Sequence, residues 1–146
     1  METLELEQLN ALLEAESHSI ANLANASSFL YNTIDHLNWL GFYLLEGDTL
    51  ILGPFQGKVA CTRIPVGKGV CGKAVALKKT LRVDDVHQFA DHIACDSASK
   101  SEIVVPLIQN GEVIGVLDVD SPMLSRFTIE DQQYLEEAAR IIEKHI

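Results

Sequence analysis

Apolar positions recur along this chain with two different periods, and the change from one to the other marks out its elements. Between Glu2 and Glu16, Leu6, Leu9 and Leu13 fall at helical spacing among acidic residues. This predicts a first helix, with so much negative charge that a peripheral position is expected. A second helix is expected from about Ser19 to Ile34, with Ile20, Leu23, Ala24, Ser27, Leu30, Tyr31 and Ile34 on one stripe. The Ser-His-Ser lead at Ser17–Ser19 supplies its N-cap. At Asn38 the period shortens. The run NWLGFYLL is rich in β-formers and apolar on both faces, as expected of a strand covered on both sides. Glu46-Gly47-Asp48 turns it into a second strand around Leu50 to Leu52, after which Gly53 to Gly57 reads as loop.

Further along, Val59 to Ile64 is expected to be a short strand carrying Cys61. Pro65, Gly67 and Gly69 then turn the chain into a short helix from about Val70 to Leu77, and Leu81 to Val83 is a short strand. The strongest local signal is Asn110-Gly111 between the apolar runs Ile103–Ile108 and Val113–Val119. Both residues tolerate φ > 0, so the pair predicts a type I′ turn and an antiparallel hairpin. Thr128-Ile-Glu-Asp131 has the form of a capping box with Asp in place of Glu. It opens a last helix with Tyr134, Leu135, Ala138, Ile141 and Ile142 on its apolar side.

A chain of 146 residues with 47% hydrophobic and 22% charged content makes one domain with a single sizeable core. The net charge of −10 argues against nucleic acid and acidic membrane surfaces, which are met by clustered Lys and Arg. No basic start precedes an apolar run at either end, and no run is long enough to span a bilayer, so a soluble, cytoplasmic protein is expected. Cys61, Cys71 and Cys95 cannot all pair within one chain, and no Cys-x-x-Cys or common zinc spacing occurs. His87, His92 and Cys95 could collect a metal, but histidines in a polar loop are more often simply solvated.

Candidate chemistry converges on the hairpin and the loop before it. Asp118 and Asp120 are two apart on a strand and so share a face. Two carboxylates side by side at the end of an apolar strand repel and lose hydration, which marks a site, and Glu102 stands near the opposite end of the same hairpin. The polar segment from Asp84 to Ser101 is long for so compact a domain and carries Cys95. Cys71 falls in the first turn of the short helix beside Lys68 and Lys73, and both influences favour thiolate, so an acidified thiol is expected. G-K-G-V-C-G lacks the P-loop and dinucleotide patterns. Trp39, Gly41 and Tyr43 share one strand face, where an isolated tryptophan most simply fills core.

The element order resembles a GAF domain: a single α+β domain over residues 1–146, with helices packed on an antiparallel sheet. The likeness narrows at L-N-W-x-G-F-Y (Leu37–Tyr43), G-P-F-Q-G (Gly53–Gly57) and A-C-T-R-I-P (Ala60–Pro65). It continues through G-K-G-V-C-G (Gly67–Gly72), H-I-A-C-D (His92–Asp96), S-E-I-V-V-P (Ser101–Pro106) and G-V-L-D-V-D-S (Gly115–Ser121). Together these resemble the free methionine-(R)-sulfoxide reductases, over nearly the whole chain and with all three cysteines at the family's spacing.

Reducing a sulfoxide needs a thiolate to attack sulfur and an acid to protonate the departing oxygen. The resemblance implies that Cys95 attacks and becomes a sulfenic acid, and that a second thiol resolves it to a disulfide. Cys61 and Cys71 are both candidates for that second thiol, with Cys71 favoured by its helix N-terminus. Thioredoxin or a similar dithiol then restores the enzyme. The resemblance further implies that Glu102, Asp118 and Asp120 act on substrate as proton donor and as counter-charge to its ammonium group. Trp39, with Tyr43 on the same face, contacts the substrate's methyl end. Neither metal nor organic cofactor is implied, and a homodimer is suggested. Two other classes share parts of this pattern: a GAF module sensing a nucleotide or other small ligand, and a redox switch using Cys71 and Cys95. Thiol-dependent consumption of free methionine sulfoxide separates all three.

Overall fold

The computed structural model describes residues 2–90, 92 and 97–146, so Cys95 lies outside the described residues. Helix α1 spans Glu2–Glu14 and α2 spans Ser19–Thr33, the latter capped by the His18 ring, which accepts from the Ile20 N–H. Strands β1 (Trp39–Glu46), β2 (Thr49–Gly57) and β3 (Arg63–Pro65) precede α3 (Gly69–Leu77) and β4 (Leu81–Val83). A 3-10 turn at Val86–Gln88 leads toward the hairpin of β5 (Ser101–Gln109) and β6 (Glu112–Ser121), and α4 (Ile129–Glu143) closes the chain.

The six strands form one antiparallel sheet in the order β3-β2-β1-β6-β5-β4. Its centre is β1 lying beside β6, and the hairpin turns at Asn110 (φ 54°) and Gly111 (φ 79°), both left-handed as the Asn-Gly signal requires. Alternate residues of the central strands face two different layers. Leu40, Phe42, Ile103, Val105, Leu107, Leu117 and Val119 pack under α1, α2 and α4 in the main core. Trp39, Tyr43, Val104 and Val116 point the other way, toward α3 and β3. Thr128 and Asp131 make the expected reciprocal capping box at the start of α4. No helix of the described residues is long and apolar enough to cross a membrane.

Four sequence expectations need correction. Helix α1 is not peripheral: Leu6, Leu9 and Leu13 are all buried in the main core, so the acidic residues are only its outer face. Strand β2 does not stop at Leu52 but runs to Gly57 through a bulge, where Gly41 pairs with Phe55 and Tyr43 with Leu52. Gly53 and Pro54 fall within that bulge, where a strand tolerates a missing N–H, which is why they read as loop. Cys61 is not on a strand; β3 is only Arg63–Pro65, and Cys61 sits in the connection before it. In α2 the stripe is rotated slightly: Leu23, Ala26, Ser27 and Leu30 are buried, while Ile20 and Ala24 are exposed.

Candidate active site

Strand register assembles the acidic cluster. Glu102 pairs with Asp120 across β5 and β6, Asp118 pairs with Val104, and on the other side of β6 Trp39 pairs with Asp120 and Gly41 with Asp118. All point to the α3 side of the sheet, where α3 brings Cys71 over them. On the reverse face, fully buried Ser101 and Ser121 pin the strand ends. Ser101 Oγ donates to the Met123 carbonyl at 2.6 Å, and Ser121 Oγ donates to the His36 carbonyl at 2.6 Å.

The three carboxylates are buried, with Glu102 at 7%, Asp118 at 5% and Asp120 at 9% exposure. Burial pushes the Glu102 carboxyl well above the usual carboxylate range, and the charges of Asp118 and Asp120 push it further. Asp118 is also raised by burial, but hydrogen bonds from Glu102, Cys71 and Asp120 oppose the rise. Glu102 is thus the carboxyl whose protonated form burial and its neighbours favour most, and it hydrogen-bonds to Asp118. One Asp118 oxygen, Oδ1, is buried with no hydrogen-bond partner among the described residues. A buried, unpaired carboxylate oxygen in a cleft is a vacancy for a donor or cation.

Cys71 behaves opposite to expectation. Its thiol lies 4.0 Å from Glu102 Oε2 and is pushed well up, first by burial and then by Asp118, Glu102 and Asp120. The helix N-terminus is outweighed because the thiol points into low dielectric among carboxylates. Lys68 is exposed, and the Lys73 ammonium lies 5.5 Å over the Phe89 ring. Cys71 is a free thiol, whereas Cys61 is disulfide-bonded. Cys95, the expected nucleophile, lies outside the described residues.

Above the acids stands an aromatic wall. The Trp39 ring is stacked on Tyr43 (centroids 5.9 Å apart) and on Phe55 (5.2 Å). It is 2% exposed yet lines the cleft, so filling core and facing the cleft describe the same side chain. Gly41 makes this possible. A β-carbon there would collide with Phe55 Cβ and come within 2.8 Å of the Trp39 ring, so only glycine leaves room for the indole and Phe55 to close over β1.

The cleft also contains residues to which sequence reasoning gave no part in binding substrate. His92 Nε2 is 3.9 Å from Glu102 Oε1, too far for a hydrogen bond. Burial and His87 lower its pKa against the pull of Asp118, so a neutral ring faces the acids. Ser99 Oγ accepts from Asn38 Nδ2 at 3.0 Å, and Ile64 and Val70 supply apolar floor. The signal for His92 was its place in H-I-A-C-D; Ser99, Ile64 and Val70 carry none in isolation. Ligating atoms of Cys71, Glu102 and Asp118 lie within 4.8 Å of one another. Within this group Glu102 and Cys71 hydrogen-bond to the Asp118 carboxylate. His87, His92 and Cys95 were the other metal candidates, and Cys95 falls outside the described residues.

The cleft lies on the α3 side of a curled antiparallel sheet whose other side is closed by three helices, and residues 5–146 match the GAF domain family. Within that class the relatives are specific. A free methionine-R-sulfoxide reductase of Escherichia coli (strain K12) is 57% identical over 135 residues, 92% of this chain and 82% of its own. The reduced form of the fRMsr of Staphylococcus aureus superposes with a TM-score of 0.95 at 54% identity, covering 99% of this chain and 94% of that one. A free methionine-R-sulfoxide reductase from Neisseria meningitidis, solved in complex with its substrate, superposes with a TM-score of 0.93. It is 49% identical over 96% of this chain and 84% of its own. The chain belongs to the free methionine-R-sulfoxide reductase family of GAF domain proteins.

Proposed function

We propose that this protein reduces free L-methionine-(R)-sulfoxide to L-methionine, with Cys95 as nucleophile, Glu102 as proton donor and Cys61 as resolving thiol. The Cys95 thiolate attacks the sulfoxide sulfur, the S–O bond breaks as oxygen transfers to the cysteine, and the proton from Glu102 completes a sulfenic acid while methionine leaves. Cys61 then attacks the sulfenic sulfur, releasing water and forming a disulfide, which an external dithiol such as thioredoxin reduces. The observation that carries the reading is three buried carboxyls gathered beside an aromatic wall, with Glu102 pushed well above the usual carboxylate range. Glu102 supplies the proton, Asp118 Oδ1 is available to the substrate ammonium, and Trp39 with Tyr43 suits the thioether methyl end. Cys61 as resolving thiol is supported by its disulfide and by the free, buried, poorly acidic Cys71.

The test is consumption of the two epimers of free methionine sulfoxide with dithiothreitol. The wild-type protein is expected to consume only the R epimer, and Cys95→Ser neither. Turnover by Cys95→Ser would move the attack to another thiol, and no consumption by the wild-type protein would remove the activity altogether.

A further inference from the structure

Two buried aromatic donors of the cleft wall reach the same short connection. The Tyr43 hydroxyl donates to the Cys61 carbonyl at 3.0 Å, and the Trp39 Nε1–H donates to the Lys58 carbonyl at 3.1 Å. Lys58 to Cys61 belong to neither flanking strand, since β2 ends at Gly57 and β3 begins at Arg63. Lys58 and Val59 face solvent, Val59 being 88% exposed, while Ala60 and Cys61 are half-buried against the aromatic cluster. Gly57 lies against the indole, since a β-carbon there would come within 2.7 Å of the Trp39 ring. A segment outside the ladders, tied at its first and last carbonyls by side chains 2% exposed, takes its position from those side chains. Burial and the neighbouring Asp118 push the Tyr43 phenol far above its usual range, so it remains a donor at every pH the protein meets.

We propose that Tyr43, with Trp39 as a second tether, is a positioning residue for Cys61, holding the resolving thiol where the sulfenic acid is formed. This rests on the reading of Cys61 as the resolving cysteine. The step it serves is attack of the Cys61 sulfur on the sulfenic sulfur, with one S–S bond formed, one S–O bond broken and water released. Such a step is fast only while the two sulfurs stay aligned, and a misplacement of about 1 Å can slow a reaction roughly 100-fold. The aromatic wall thus has a second task, and loss of the Tyr43 hydroxyl separates it from the first, because the ring remains.

Reduced Tyr43→Phe is mixed with one equivalent of free L-methionine-(R)-sulfoxide without reductant. Methionine release is followed beside disulfide formation, with a 1,3-diketone present to trap sulfenic acid. The expected result is a fall of about 10- to 100-fold in the ratio of disulfide formation to methionine release, whatever the variant does to substrate binding. Trapped sulfenic adduct should accumulate as in Cys61→Ser, and Tyr43→Phe should add nothing in the Cys61→Ser background. Wild-type disulfide rates in Tyr43→Phe, or a matching fall in methionine release, would overturn the proposal. Absence of methionine from the wild-type protein would instead overturn the activity itself. Trapped adduct in Cys71→Ser but not in Cys61→Ser would overturn the assignment of Cys61. If Tyr43→Phe does not fold, Trp39→Phe is judged by the ratio of disulfide formation to methionine release, which a change in substrate binding alone does not alter; an unchanged ratio overturns the tether.

Discussion

The two faces of the central sheet are built from alternate residues of the same strands, yet they solve opposite problems. On β6, Leu117 and Val119 face three helices and are fully buried, while Asp118 and Asp120 face α3 and are nearly as buried. On β5 the alternation is Ile103 and Val105 against Glu102. The first face is stabilised by leaving water, at roughly 25 cal/mol per Å² of apolar surface. The second gives up the hydration of carboxyl groups and recovers only part of it through shared protons and hydrogen bonds. A three-helix lid and a rigid sheet on one side thus sustain a destabilised cluster on the other, as is usual where pKa values are displaced for chemistry.

Removing a carboxyl from the α3 face should damage activity and spare the fold. Asp118→Asn, Asp120→Asn and Glu102→Gln are each expected to lose roughly 10²–10⁴-fold in kcat/KM, the range for a removed general acid. With rapid binding, loss of a counter-charge should fall mainly on KM and loss of the proton donor on kcat. Steady-state kinetics beside thermal melts check this, and near-wild-type kcat/KM in all three would leave the carboxyls structural.

The helix-covered face should show the converse. Leu117→Ala leaves a cavity under the helices and should destabilise the protein by about 2–5 kcal/mol, with kcat/KM close to wild type where the variant is folded. Denaturant unfolding measures it, and a loss below about 1 kcal/mol would mean the two faces differ less than their chemistry suggests.

The smallest effect is in the pH dependence of stability. The native Glu102 and Asp118 carboxyls have raised pKa values, so above the unfolded values of about 4 the native state holds protons that the unfolded state has released. Their contribution is therefore complete below that pH and declines as pH rises through the native values. Glu102→Gln removes much of this slope. Its melting temperature should fall less than that of wild type between mildly acidic and neutral pH, and an unchanged slope would place the buried proton elsewhere.

What was legible in the sequence follows the reach of each signal. The Asn-Gly turn, the alternation that aligned Asp118 with Asp120, and the Thr128–Asp131 cap are local, and each formed as expected. The GAF architecture and the family were carried by motifs spread over the chain. The length of β2 was hidden because a bulge lets a strand include Gly-Pro, and the burial of α1 because the helices covering it lie elsewhere in sequence. Cys71 was misjudged for a similar reason. Its helix position and lysines are visible in sequence, while the burial that raises it most and the carboxylates that add to it come from tertiary packing, the acids lying on strands about 30 to 50 residues later. The likeness singled out Trp39 and Tyr43 for the substrate. Their hydrogen bonds to the Lys58–Cys61 connection had no sequence signal, since a main-chain carbonyl leaves no mark on residue identity.

The two-residue turn at Asn110 and Gly111 has a consequence for how the protein comes to exist. Glu102 and Asp120 meet across one of the two two-residue connections in the sheet, and closing a short loop sacrifices the least chain entropy. Hairpins form in microseconds, well before distant segments find one another. The acids can therefore come into register while still fully hydrated, and their dehydration is deferred until α3 and β1 arrive to cover them. Nascent chains would then reach the unfavourable arrangement last, with the rest of the fold already in place to hold it.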